Sequence, residues 1–266
     1  MHPWLLEELD FARVRQQEKP YQVAVLPMGA TEPHNYHLPY GNDFLTTRRV
    51  GERICEAAYR RGGKVLLLPT IPFGVDSNLL GFPLTIHVSL KSLEAVLRDV
   101  IRSLECHGIY KLVLLNGHGG NELKPLLREW YGTIKVFVTV VDWWKVGHDR
   151  YAEIFSKADD HAGEMETSVA LALYPELVEL DKASDGAARA ARFEAIRRGW
   201  AAITRPWHLL TESSGVGDPR AATREKGERY LELVTERLAQ FLVELSAAEM
   251  EETFPFGQSG PSKTMG

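Results

Sequence analysis

The chain is short of cysteine: two in 266 residues, and neither sits in a Cys-x-x-Cys pair. That excludes a disulfide framework and thiolate-held zinc. Cys55 and Cys106 both fall inside helical patterns and read as small core residues of a protein in a reducing compartment. No apolar run approaches the ~20 residues needed to cross a bilayer. The start, Met1-His-Pro-Trp-Leu-Leu-Glu-Glu, lacks the basic region of a secretory signal. Positive charge is not in excess either, since the formal net charge is −5. This argues against nucleic acid or an anionic membrane as the main partner. Walker spacing and the Gly-x-Gly-x-x-Gly turn are both missing, which removes the common phosphate-cradling loops. There is no internal repeat and no linker long enough to split the chain. These absences predict a cytoplasmic protein whose 44% hydrophobic content builds one sizeable core.

What is present alternates. Continuous apolar runs at 23–26, 64–69, 111–115 and 135–141 read as buried strands. Helical patterns over 44–61, from Ser89 to the stop at Gly108, and over 122–130 separate them. Buried strands alternating with helices predict an α/β fold in three layers, a mostly parallel sheet with helices on both faces. Two further helices are expected, one starting near Gly163 and one over 221–248. The alanine-rich stretch 186–206, with Arg189, Arg192, Arg197 and Arg198, reads as another helix facing solvent or a second subunit. Residues 1–252 are expected to form the domain, with 253–266 a mobile tail.

In such sheets the ligand site lies beyond the carboxyl ends of the strands, and three of the four strands deliver unusual polar chemistry there. After the first comes a Pro/Gly-rich loop with Glu32, His34, His37 and Asp43. Carboxylates and imidazoles together suit divalent transition metals. A Glu-x-His pair in extended backbone points its side chains to opposite sides, which suits two neighbouring ions with Asp43 bridging them. The plain alternative is a solvated loop. After the third strand comes Asn116-Gly-His-Gly-Gly-Asn121, where the glycines, Gly119 among them, allow the backbone to approach a ligand closely. His118 is a candidate ligand there, or else a satisfied core histidine. After the fourth strand, Trp143 and Trp144 are candidates to wall a flat substrate, or else core or subunit contacts. Further on, His161-Ala-Gly-Glu-Met-Glu-Thr-Ser168 opens a helix. The dipole alone would favour Glu164 and Glu166 in its first turn, but His161 just before them is a plausible acid–base group.

Gly29-Ala-Thr-Glu-Pro-His, His37-Leu-Pro, Asp43, Asn116-Gly-His-Gly-Gly-Asn, His161-Ala-Gly-Glu-Met-Glu-Thr-Ser and Gly215-Val-Gly-Asp-Pro, in this order, resemble the creatininase (creatinine amidohydrolase) family. The resemblance spans roughly residues 4–245. It implies a creatininase-like α/β fold, often assembled as a homo-hexamer, and a two-ion site using zinc or manganese, with iron(II) as a further option. Carried over by motif, Glu32 and His118 would hold one ion and His34 the other, with Asp43 bridging. Creatininase also uses a Glu two residues after the loop histidine. That position is Gly120 here, so Glu166 is the expected replacement and Glu122 the weaker candidate. The loop after the second strand departs from the family pattern at Phe82-Pro-Leu-Thr, and Asn35 replaces a common glycine, so substrate contacts differ. The implied chemistry is hydrolysis of a C–N bond in a small cyclic or linear amide. Two ions would lower the pKa of a water and polarise the carbonyl, and His161 would shuttle the proton to the leaving nitrogen. The alternatives are hydrolysis of a lactone or keto-cyclitol ring at the same site, or a relative that binds metal or ligand without catalysis.

Overall fold

A computed structural model describes residues 2–16 and 21–257. Its strands are β1 (Val23–Met28), β2 (Val65–Leu67), β3 (Lys111–Asn116) and β4 (Phe137–Asp142). Its helices are α1 (Phe11–Arg15), α2 (Asn42–Arg60), α3 (Leu90–Cys106), α4 (Lys124–Trp130), α5 (Glu164–Leu173), α6 (Glu194–Arg197), α7 (Trp207–Leu210) and α8 (Arg224–Ala247). The strands form one parallel sheet in the order β2-β1-β3-β4.

Alternate side chains of each strand face opposite layers, and both faces are apolar. Val23, Val25, Val65, Leu67, Val113 and Leu115 pack with α2, α5 and α8. Ala24, Leu26, Leu66, Leu112 and Leu114 pack with Leu93, Leu97 and Ile101 of α3 and Trp130 of α4. The three-layer α/β expectation therefore holds. Helix α3 also begins where the sequence predicts, with the Ser89 hydroxyl accepting from the Ser92 N–H at its first turn.

Register positions the site. Met28 pairs with Asn116, and Asn116 with Asp142, so β1, β3 and β4 end level with one another. The loops that follow them emerge at one edge of the sheet. Among the described residues, no helix is long and apolar enough to cross a membrane.

Two expectations are corrected. The alanine-rich stretch is helical only over Glu194–Arg197. Gly186 and Gly199 take positive φ, and the backbone pairs instead with the end of α7 and the loop before α8, Arg189 N–H to Leu210 O and Gly217 N–H to Gly186 O. Tertiary pairing overrides alanine's helix preference here. Cys106 is exposed, because it is the last residue of α3 and turns away from the sheet. Phe254, just past residue 252, packs edge-on against Phe137, ring centroids 4.7 Å apart. Residues 258–266 of the tail lie outside the described residues.

Candidate metal centre

The loop after β1 is drawn against the start of α2. A side chain at Gly29 would collide with the backbone of Phe44, so only glycine permits this approach. It brings Glu32 and His34 to Asp43, which occupies the first turn of α2, where the dipole favours an anion. His34 donates its Nδ1–H to the Glu32 carbonyl at 3.1 Å, which turns Nε2 inward to 2.8 Å from Asp43 Oδ1. His118 arrives from the loop after β3. The Asn116 side chain braces that loop, donating to His118 O and to Asp142 Oδ1, each at 2.9 Å. His118 Nδ1 lies 3.1 Å from Glu32 Oε1 and 3.0 Å from Asp43 Oδ2. Asp43 thus turns one oxygen to His34 and the other to His118.

Helix α5 supplies Glu166, held by a short hydrogen bond from the Ala162 N–H. His161 precedes the helix in a left-handed corner: Ala162 has φ +52°. The backbone of His161 exchanges hydrogen bonds with Val216 in the glycine-rich loop before α8. Its Nε2–H donates to Pro33 O at 3.0 Å, leaving Nδ1 turned toward the cluster, 3.9 Å from Glu32 Oε1. The ring stacks obliquely on His34 at 4.2 Å and on Trp207 at 5.0 Å.

These donors fit divalent cations. Glu32, His34, Asp43 and His118 are all buried, yet Glu32 Oε2, His34 Nε2 and Asp43 Oδ2 have no properly directed hydrogen bond. Nitrogens and oxygens lie 2.8–3.1 Å apart without bonding one another. Bonds of ~2.0–2.2 Å to a shared cation place neighbouring ligand atoms roughly 3–3.5 Å apart. Two separate three-donor groups result, Glu32 with Asp76 and His118, and His34 with Asp43 and Glu166. Glu32, His34 and His161 form a third group that overlaps both.

The electrostatics follow from crowding charge into a dry place. Burial alone would discharge His34, but Asp43, Glu166 and Glu32 outweigh it and push its pKa up to about 10. His118 is likewise raised well above the imidazole range, against burial, by Glu32, Asp43 and Asp76. Burial raises both Glu32 and Glu166. It would raise Asp43 too, but His34 and His118 hold that carboxyl far below its usual range. His161 goes the other way: burial, then the charge of His34, lower it to about 3, so it stays neutral.

A cavity of about 980 Å³ opens onto the cluster, with Glu32, His118, Trp144, His161, Arg205 and Trp207 among its walls. Gly119 lines it, with open space where a side chain would go, and so does Glu122, which joins no donor group among the described residues. Trp143 does not line it, contrary to expectation. The chain leaves β4 through a 3-10 turn, so consecutive side chains diverge. Trp143 is buried against Tyr230, centroids 6.3 Å apart, while Trp144 faces the cavity. His37 stands apart from the ligand cluster, with Nε2 2.8 Å from Thr167 Oγ1. Three residues at the site escaped sequence reasoning: Asp76, Arg205 and Trp207. The Arg205 guanidinium lies 4.7 Å over the Trp207 ring and pairs with Asp160 at 2.5 Å. Arg205 and Trp207 bracket Pro206 at the end of the alanine-rich stretch, and no periodicity marks them.

Comparison with known proteins bears on this geometry. The family described as Creatininase: Creatinine amidohydrolase matches residues 7–242. The creatinine amidohydrolase of Pseudomonas putida is 32% identical over 243 residues, 84% of this chain and 89% of the relative. A mycofactocin precursor peptide peptidase from Mycobacterium ulcerans is 30% identical over 239 residues, 86% of this chain and 88% of the relative. Among solved structures, a candidate creatinine amidohydrolase from Bacteroides fragilis superposes with a TM-score of 0.86 at 35% identity, covering 95% of this chain and all of the other. Manganese and zinc–zinc forms of creatininase superpose at TM-scores of 0.74 and 0.73, each 28% identical and each covering 92% of this chain, and 99% and 98% of their own.

Proposed function

Because the chain belongs to the creatininase family, it is a metal-dependent amidohydrolase, and we propose that its substrate is a small cyclic or linear amide cut at the C–N bond beside two divalent ions. The observation that carries this reading is the pair of three-donor groups joined by Asp43, whose two oxygens turn one to His34 and one to His118. Glu32 and His118 would hold one ion, His34 and Glu166 the other, with Asp43 shared. The mixed nitrogen and oxygen donors suit zinc, manganese or iron(II), and related creatininases are known in manganese and zinc forms. Bound there, divalent cations supply Lewis acidity that activates water and polarises an amide carbonyl.

The chain's own residues do the rest. Pro33 O fixes the His161 tautomer, so a neutral imidazole presents its free Nδ1 lone pair to the centre. That nitrogen accepts a proton from the attacking water and returns it to the leaving nitrogen. An amine cannot leave unprotonated, so this return is the step that breaks the bond. Trp144 and Trp207 give the cavity flat walls, and Gly119 lines it without a side chain to fill it.

One relative acts on creatinine and the other on a precursor peptide. The volume of about 980 Å³ lies at the upper end for small-molecule sites. It favours, as a second reading, an extended amide such as a peptide end over a compact ring. The test is a screen of zinc- and manganese-loaded protein against creatinine, hydantoins, formamides, short peptides and keto-cyclitols, with metal counted by elemental analysis. Amide turnover with about two ions per chain is expected. Less than half an ion after reconstitution, or turnover confined to the keto-cyclitols, would overturn the reading.

Assembly and place complete the proposal: a cytoplasmic homo-hexamer of about 180 kDa, six chains of 29.9 kDa. Support comes from Phe73, Leu80, Leu84 and Ile86, which are all exposed on one loop, and from Leu209, exposed on α7, whose His208 touches Gly81 of that loop. An apolar surface of this kind is what subunit contact covers. Light scattering that returned a monomer at micromolar concentration would refute it.

A further inference from the structure

We propose that Asp76, in the loop after β2, is a direct ligand of the ion held by Glu32 and His118. The inference rests on the dinuclear reading of the centre and adds a donor to it. Asp76 is fully buried, and neither carboxylate oxygen has a hydrogen-bond partner. A buried carboxylate without partners is costly unless a cation compensates it. Its Oδ1 lies 2.8 Å from His118 Nε2 but off the direction of that N–H, which is aimed at Val75 O at 3.3 Å. The role of steadying the imidazole is thus already filled by a backbone carbonyl, which with carboxylate and water is one of the customary partners of a ligating histidine's second nitrogen. What remains for Asp76 is the cation itself, and one of its oxygens lies within 4.8 Å of donor atoms of Glu32 and His118.

The backbone explains why the donor comes from this loop. Val75 N–H donates to Asn121 Oδ1 at 3.0 Å, which fixes the segment against the His118 loop, and Asp76 N–H donates to His87 Nδ1 at 3.0 Å, which ties it to the far end of its own loop. At Gly120, a side chain would run into the His118 ring and the Val75 carbonyl. Residues 75–76 therefore occupy the space that a side chain at position 120 would take.

The experiment strips wild-type protein of metal and reloads it with manganese or zinc beside Asp76→Asn. Ions per chain are counted after dialysis, and affinity is measured by chelator competition. Asparagine keeps the size and an acceptor oxygen but not the charge. Two ions are expected in the wild type. In Asp76→Asn, one is expected to be lost or bound at least tenfold more weakly, with the other unchanged. The rise in melting temperature on metal addition should shrink in step, and Asp76→Glu should restore part of it. Asp76→Ser gives the same expected loss should the asparagine variant not fold. Two ions at unchanged affinity in a folded, uncharged variant would overturn the assignment while leaving the dinuclear reading intact. A wild type that binds no ions would overturn both.

Discussion

Replacing His161 with alanine separates catalysis from support, because the structure bounds what the ring does for the fold. The loop position does not depend on the side chain: His161 N–H and C=O both bond Val216 through the backbone. The Pro33 carbonyl that accepts from Nε2 also accepts from the Ser214 hydroxyl at 2.8 Å, so truncation leaves it one partner. What is lost is ring packing against His34 and Trp207, a cost of about 2 kcal/mol. For a chain of this size that lowers the melting temperature by roughly 4–8 °C. Most of a typical stability of about 5–15 kcal/mol then remains, so nearly every molecule stays folded. Turnover should nevertheless fall by roughly 10²–10⁴-fold, the usual worth of a positioned acid–base group. Both ions should stay bound. Because His161 lines the cavity, free imidazole has a path to the void and should restore part of the rate. The assay is steady-state turnover of whichever amide the screen identifies, with elemental analysis and thermal melting on the same samples. Activity within a few-fold of the parent would refute the acid–base role. Loss of an ion together with activity would make His161 a ligand, as its grouping with Glu32 and His34 also permits.

Glu166→Gln keeps an acceptor for the Ala162 N–H but removes a charge beside His34 and Asp43, so it should cost one ion and leave the other; elemental analysis showing two ions would contradict its assignment. His37, lowered to about 4 by burial and then by His34, makes the metal-free protein less stable in acid. Below pH ~6.5 the unfolded chain binds a proton that the folded one refuses, so stability should fall between pH ~6.5 and 4 by about 1–3 kcal/mol. Urea unfolding of His37→Gln, which keeps a partner for Thr167, should show a flatter profile over that window, and an identical slope would refute the cause. Leu97, fully buried between α3 and the sheet, should cost about 2–5 kcal/mol when cut to alanine, with metal content unchanged. Less than 1 kcal/mol by urea unfolding would mean that this face of the sheet is not close-packed.

The residues of the centre were legible because each stands just past an apolar run or at a helix start. Those are the places where a parallel sheet delivers side chains to its carboxyl edge. The strands themselves were legible for the same reason: a run such as Leu112 to Leu115 is apolar on both faces only if helices cover both. The two tryptophans show where this reasoning ends. Adjacent in sequence, they divide between core and cavity because the chain leaves β4 in a 3-10 turn, and nothing in the pair Trp143-Trp144 specifies that turn. The alanine-rich stretch 186–206 failed for a different reason, since Arg189 N–H and Gly186 O pair with Leu210 and Gly217, residues more than 20 positions away.

Asp76 was illegible on both counts. It is a lone acid between Val75 and Ser77, in a loop whose glycines and prolines announce only a change of direction. Its meaning depends on Asn121 binding Val75 and on Gly120 having no side chain, and both partners lie more than 40 residues further along the chain. Local sequence reports which donor types a loop carries. It cannot report which of them share an ion, because that grouping is set by how far each loop leans over the sheet edge. Gly29 sets the lean for the first loop, by admitting Phe44, and Gly120 sets it for the third, by admitting Val75. The glycines therefore carry as much of the metal centre's specification as the ligands. A methyl group at position 120, which would run into the His118 ring and the Val75 carbonyl, should disturb the ion at Glu32 and His118 and leave the one at His34 in place. Equal loss of both ions in Gly120→Ala would show that the two sites form as a unit rather than loop by loop.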